Sequence, residues 1–245
     1  MLLPFQFCVS SGKSISEVAL RKPDGTYVAN LKYELKENGL TLTNKDGLII
    51  VKYPGTLPVN AINHEGQYYI WMRLDGGLAL YSEIFTVCNK VDDYLALEYS
   101  NPYNFTLKNG IIDFSDNFKF KCYLNTQIGK PEYSFEEEVT ERMGYSFIES
   151  KVRKKVYKFT FLAPEYLCDA LRIVRLCENK RITSKQQIYD LTTFNMEPEW
   201  EDQGDLADVE CSFEADTVIA NIGGYKATPT GGDFNADFNN DYKNS

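Results

Sequence analysis

The chain has 245 residues, with 26 Lys and Arg against 35 Asp and Glu, and a formal net charge of −9. That length can bury one large core or two smaller ones. The acidic balance argues against nucleic acid as the main partner, because phosphate contacts need a basic surface. The 17 Tyr and 15 Phe suit sheets better than helix bundles.

No run of about 18 apolar residues occurs, so no transmembrane helix and no membrane partner is expected. The opening Met1-Leu2-Leu3-Pro4-Phe5-Gln6-Phe7-Cys8 is apolar. It lacks the basic region and the small-residue cleavage site of a signal peptide. It reads as a first strand or as an arm docking on a neighbour.

Residues 1–100 read as an antiparallel β domain. Asp24-Gly25, Asn38-Gly39, Asp46-Gly47 and Asp75-Gly76-Gly77 supply the positive φ that tight hairpin turns require. Between them, residues 17–22, 27–35, 40–43 and 48–53 have strand composition. The clearest hairpin joins residues 68–74 to 78–87. Short strands with frequent turns predict an antiparallel β-sandwich or partial barrel, with residues 94–99 as its last strand.

Asn101-Pro102-Tyr103-Asn104 marks a boundary. Residues 101–226 predict a second β-rich domain with one main helix, giving a mainly β, α+β chain. Phe105 to Leu107, the Asn109-Gly110 turn and Ile111 form one hairpin, and residues 118–124 alternate like a strand. The helix is expected near 164–178. Pro164 suits its first position, Leu167, Leu171 and Val174 make its apolar stripe, and Arg172 and Arg175 complement its C-terminal dipole. Thr183 to Gln186 mimics a capping box, but the β-rich context favours a strand over residues 187–196. Residues 227–245 are rich in Gly, Asn, Asp and Thr and are expected to be flexible unless a partner orders them.

Catalytic chemistry finds little to build on. His64 is the one histidine, so any Ser-His-Asp or Cys-His pair would have to use it, and no nucleophile elbow lies near it. Glu136, Glu137 and Glu138 read as a solvated charge run rather than as glycosidase acids. No Walker loop, dinucleotide-binding glycine motif or EF-hand loop occurs. No enzyme activity, cofactor or metal is therefore expected. The six cysteines, Cys8, Cys88, Cys122, Cys168, Cys177 and Cys211, have neither zinc-ribbon nor disulfide-scaffold spacing. They read as free thiols in a reducing compartment. Tyr68, Tyr69, Trp71, Tyr81 and Phe85 read as core and cross-strand pairs, with a sugar-binding platform as the alternative.

Two charged strands carry the functional expectation. Residues 197–216 hold nine carboxylates, no Lys or Arg and one Trp. Ala207, Val209, Cys211 and Phe213 alternate with Asp208, Glu210, Ser212 and Glu214, which predicts a half-buried strand with an acidic outer face. Such a face needs solvent or a basic partner. The densest basic run is residues 151–158. Lys151, Arg153 and Lys155 share a parity that continues as Tyr157, Phe159 and Phe161. This strand either faces a partner, with Asp208, Glu210 and Glu214 as the complement within the chain or on a neighbour, or is a solvated edge protected by Lys.

Several pieces of the chain resemble structural proteins of tailed bacteriophages infecting gut Bacteroidetes, including the crAss-like group. They are Tyr81-Ser82-Glu83-Ile84-Phe85, Tyr94-Leu95-Ala96-Leu97-Glu98-Tyr99, Lys130-Pro131-Glu132-Tyr133, Lys155-Val156-Tyr157-Lys158-Phe159 leading to Ala163-Pro164-Glu165, and Trp200-Glu201-Asp202-Gln203-Gly204-Asp205-Leu206-Ala207 with Phe213 and Asp216. The pieces span roughly residues 80–220 and are not catalytic signatures. The resemblance implies a ring-forming or baseplate-like virion protein of the tail or head–tail connector, assembled in the host cytoplasm. Its partners would be copies of itself and neighbouring tail or connector proteins. A carbohydrate-binding or receptor-binding module is the alternative.

Overall fold

The computed structural model describes residues 4–10, 12–37, 39–45, 47–55, 65–88, 93–107, 110–142, 145–185, 187–201 and 204–219. His64 and residues 227–245 lie outside them, and so do the expectations placed there.

The N-terminal strands are β1 (Phe5–Ser10), β2 (Ile15–Arg21) and β3 (Tyr27–Asn30). A short helix, α1 (Lys32–Glu37), follows. Then come β4 (Thr41–Lys45), β5 (Leu48–Tyr53), β6 (Gly66–Leu74), β7 (Ala79–Tyr81) and β8 (Phe85–Val87). They form two antiparallel sheets, ordered β1-β5-β4 and β3-β2-β6-β7, with β8 also on β6. One core lies between them, built from Val18, Leu20, Leu31, Leu35, Ile49, Val51, Tyr53, Ile70, Met72 and Leu74. This is the expected sandwich-like layout.

The strand expected over residues 27–35 is split. It ends at Asn30, whose side-chain oxygen accepts the Lys32 N–H and caps α1. Leu31 and Leu35, four residues apart, are fully buried on one helix face. Asn38 lies outside the described residues, and Gly39 consequently follows a helix rather than a hairpin strand. Gly39 takes φ +96° there, as helix ends favour.

The second half opens with β9 (Leu95–Ser100), β10 (Phe105–Leu107), β11 (Gly110–Ile112), β12 (Phe120–Leu124), β13 (Glu132–Arg142) and β14 (Tyr145–Pro164). The helix α2 (Glu165–Arg172) follows, continued by a 3₁₀ turn over Ile173–Leu176. The last strands are β15 (Asn179–Ser184), β16 (Gln187–Trp200) and β17 (Leu206–Ile219). β10 and β11 form the expected small hairpin. The others make a seven-stranded sheet, ordered β12-β9-β15-β16-β17-β14-β13, with every neighbouring pair antiparallel.

Two expectations are corrected here. The strand near residues 94–99 forms, but it pairs with β12 and β15 and its Leu95, Leu97 and Tyr99 enter the second core. It is not a strand of the N-terminal sandwich. Pro164 precedes the helix instead of opening it, because its ψ of 162° is extended. The strand expected over 187–196 runs on to Trp200. Thr183 and Ser184 of the mock capping box instead pair across a hairpin with Ile188 and Gln187, and Lys185 after them takes φ 55°.

One face of the large sheet is covered by α2 and the 3₁₀ turn. Cys168, Leu171 and Val174 pack there with Tyr157, Phe159, Phe194, Val209, Cys211 and Phe213. This is the inner face. The other, outer face carries the carboxylates of β16 and β17.

Candidate assembly interface

The alternation in the acidic strand appears as expected. Ala207, Val209, Cys211 and Phe213 of β17 are buried, while Asp208 and Glu210 are exposed and Glu214 is half-buried. Burial on the inner face sets the register, since a one-residue slip would turn this apolar row outward. Tyr157 of β14 lies opposite Phe213, their rings stacked 5.2 Å apart at 14°, and Tyr189 closes edge-on at 5.6 Å.

On the outer face, like charges stand opposite each other. Glu197 of β16 pairs with Glu210 of β17, and Glu199 with Asp208. All four are exposed. Facing carboxylates destabilise a sheet unless solvent or a cation relieves them. Lys158 of β14 brings a cation to this face. Its Nζ lies 3.3 Å from Glu210 and 3.4 Å from Glu132, and Glu210 and Glu132 hold its pKa above the ordinary lysine value. Leu162, opposite Asp208 and 65% exposed, sits within this acidic surface.

The basic residues stand elsewhere. Lys151 pairs in register with Glu137, Arg153 with Phe135 and Lys155 with Tyr133, all on β13. Lys155 has the parity of Tyr157, which is inner, whereas Asp208, Glu210 and Glu214 have the outer parity. Lys155 lies over the rings of Tyr133 at 5.7 Å and Tyr157 at 5.2 Å. A hydrogen bond to Tyr157 holds its pKa up. It lines an open groove of about 830 Å³ with Lys130, Lys185, Tyr157, Tyr189 and Gln187, and among the described residues no carboxylate borders that groove. The sheet itself therefore separates the acidic surface from the Lys155 groove within one chain.

The extent of pairing is the second feature. β14 pairs with β17 only from Val156 to Pro164 and with β13 from Tyr145 to Val156. Among the described residues, β13 and the first half of β14 thus form a ribbon whose strands pair only with each other. A two-stranded ribbon is marginally stable alone in water.

One polar cluster was missed in the sequence. Lys52, the single charge in the otherwise buried β5, reaches Asp113 at 3.1 Å, Asp116 at 3.2 Å and the Ser115 hydroxyl at 2.7 Å. A lone lysine in the apolar run Leu48–Tyr53 was the available signal, because buried lysines are almost always paired. Among the described residues, no group of three or more His, Cys, Asp and Glu is placed to hold a metal ion. Among the described residues, no helix is long and apolar enough to cross a membrane. No family model, curated protein or solved structure was found to match the chain.

Proposed function

We propose that this chain is a virion structural protein that forms a symmetric ring in a phage tail or head–tail connector and acts through its subunit interfaces. The observation that carries this is the β13–β14 ribbon, paired only with itself among the described residues. Packing against a neighbouring copy would supply what a bare ribbon lacks. The acidic outer surface and the lysine-lined groove add to it. They lie on opposite faces of one sheet, so they meet only between copies stacked face to face, where their complementarity would orient the contact between layers. The sequence pieces that resemble phage tail proteins point the same way. Negative-stain electron microscopy of the purified chain tests the proposal: closed rings support it, and monodisperse single subunits count against it.

A second function, binding of a carbohydrate or receptor, draws support from the other face of β6. Tyr68 and Phe85 turn toward the core, as expected. Tyr69, Trp71 and Tyr81 turn away from it, and Tyr81 is 63% exposed. Tyr69 and Tyr81 lie 6.1 Å apart. Arg21 covers the Trp71 ring at 4.5 Å, which leaves Tyr81 and Tyr27 as the open aromatic surfaces. Glycan-array binding that is lost in Tyr81→Ala would favour this function over the ring.

A further inference from the structure

The seven-stranded sheet ends in two edges of opposite charge. One is β12, with Lys119 just before it and Lys121 within it, and no carboxylate from residue 119 to 124. The other is β13, with Glu132, Glu136, Glu137, Glu138 and Glu141 against one Arg142. Among the described residues, β12 pairs only with β9 and β13 only with β14. Each strand therefore presents one row of backbone groups with no described strand paired to it.

Strand register relates these positions to one another. Lys121 is opposite Glu98, and Lys119 Nζ lies 3.3 Å from Glu98, so both lysines belong to the outer face. Glu132 meets Lys158 on that same face. Positions 136 and 138 share the parity of 132, before the register shift between Glu138 and Val139. Six reversals separate β12 from β13, so the two edges run in the same direction.

We propose that copies of this chain join head to tail, β13 of one beside β12 of the next, as one continued sheet; this rests on the ring proposal above. Charge selects the pairing. β13 beside β13 sets glutamates against glutamates, and β12 beside β12 sets lysines against lysines. Like charges across a strand pair are unfavourable, and opposite charges are favourable. Only the β12–β13 junction brings opposite signs together. Backbone hydrogen bonds then give the affinity, as in strand addition to an open sheet edge. Such a junction joins two different surfaces. It closes into a ring if the rotation per copy closes, and otherwise extends as a filament. A copy turned about an axis along the strands meets its neighbour with the two edge strands parallel.

The test uses the full chain and two charge reversals, Lys119→Glu/Lys121→Glu on β12 and Glu136→Lys/Glu138→Lys on β13. Oligomeric state is measured by mass photometry at low salt, with circular dichroism to confirm folding. Each reversal alone should weaken self-association at least tenfold. An equimolar mixture of the two should assemble again, because every alternating junction then pairs opposite charges. A wild type that assembles while both reversals assemble equally well overturns the edge junction and leaves the ring standing. So does a loss that mixing fails to restore. A wild type that stays monomeric at every concentration contradicts the ring and the junction together.

Discussion

Lys52 and Asp113 form a buried ion pair, 3.1 Å apart with side chains 3% and 1% exposed. The pair joins β5 of the N-terminal core to the segment leading into β12. Gln6 of β1 reinforces it: its amide donates to the Asp113 carbonyl at 2.8 Å and accepts the Asp113 N–H at 2.9 Å. Removing one partner of a buried pair strands the other charge and costs about 3–5 kcal/mol. Lys52→Met should lower stability by that order in urea unfolding, and Asp113→Asn by less, because Lys52 keeps Asp116 at 3.2 Å. Burial pushes the Asp113 carboxyl up, but hydrogen bonds from Ser115 and Lys52 outweigh it and hold the pKa below its ordinary value. A depressed acid pKa gives stability that is complete above the unfolded value, near 3.8, and is lost as pH falls through the folded one. The gap between wild type and Asp113→Asn should therefore be full at pH 7 and narrow below about pH 4.

The thiols report on the core. None of the six cysteines is joined in a disulfide. Burial pushes Cys122 and Cys211 up to about 12 and Cys177 up to about 11. A thiol is reactive as thiolate, so these three should resist maleimide at pH 8 until the chain is unfolded. Labelling of Cys211 in the native chain, read by mass spectrometry, would contradict the packing of β17. The sign for stability is the reverse of Asp113. The unfolded thiols ionise first, from the ordinary value of 9.0, so stability should decline as pH rises from there toward 12.

Phe213 and Lys158 separate core from surface. Phe213 is 1% exposed and touches the rings of Tyr157, Phe159 and Tyr189. Phe213→Ala should cost about 3–5 kcal/mol. Lys158 is 41% exposed where it meets Glu132 and Glu210, and exposed pairs contribute about 0–1 kcal/mol. Lys158→Ala should leave the unfolding midpoint nearly unchanged. A large loss would mean that relief of the facing carboxylates depends on this one cation.

The β class, the paired turns at Asp24-Gly25 and Asp75-Gly76-Gly77, and the inner row of β17 were legible, because strand alternation and glycine turns are local signals. Three features were not. The helix at Lys32–Glu37 depends on an Asn30 cap and on Leu31 and Leu35 finding a core, which a window rich in β-formers conceals. The membership of Leu95–Ser100 in the second sheet is a matter of long-range pairing. The placement of charges was half legible. Parity told which residues share a face, but not that Lys158 would serve Glu210 or that Glu197 and Glu199 would stand opposite Glu210 and Asp208. Those contacts depend on which strands become neighbours.

The ribbon makes a separate prediction. Replacing residues 134–154 by an Asn-Gly turn removes the part of β14 that pairs with β13 alone, and keeps Val156 to Pro164 on β17. The shortened chain should stay folded, with a cooperative unfolding transition, and lose self-association. Misfolding of this variant would show that the ribbon is needed within the subunit.

Assembly is the central claim, and electron microscopy of the purified full-length chain at low salt tests it most directly. Closed rings of uniform size, dispersed by high salt as charge-steered contacts require, are the predicted result. A field of single subunits at every concentration and ionic strength would contradict it.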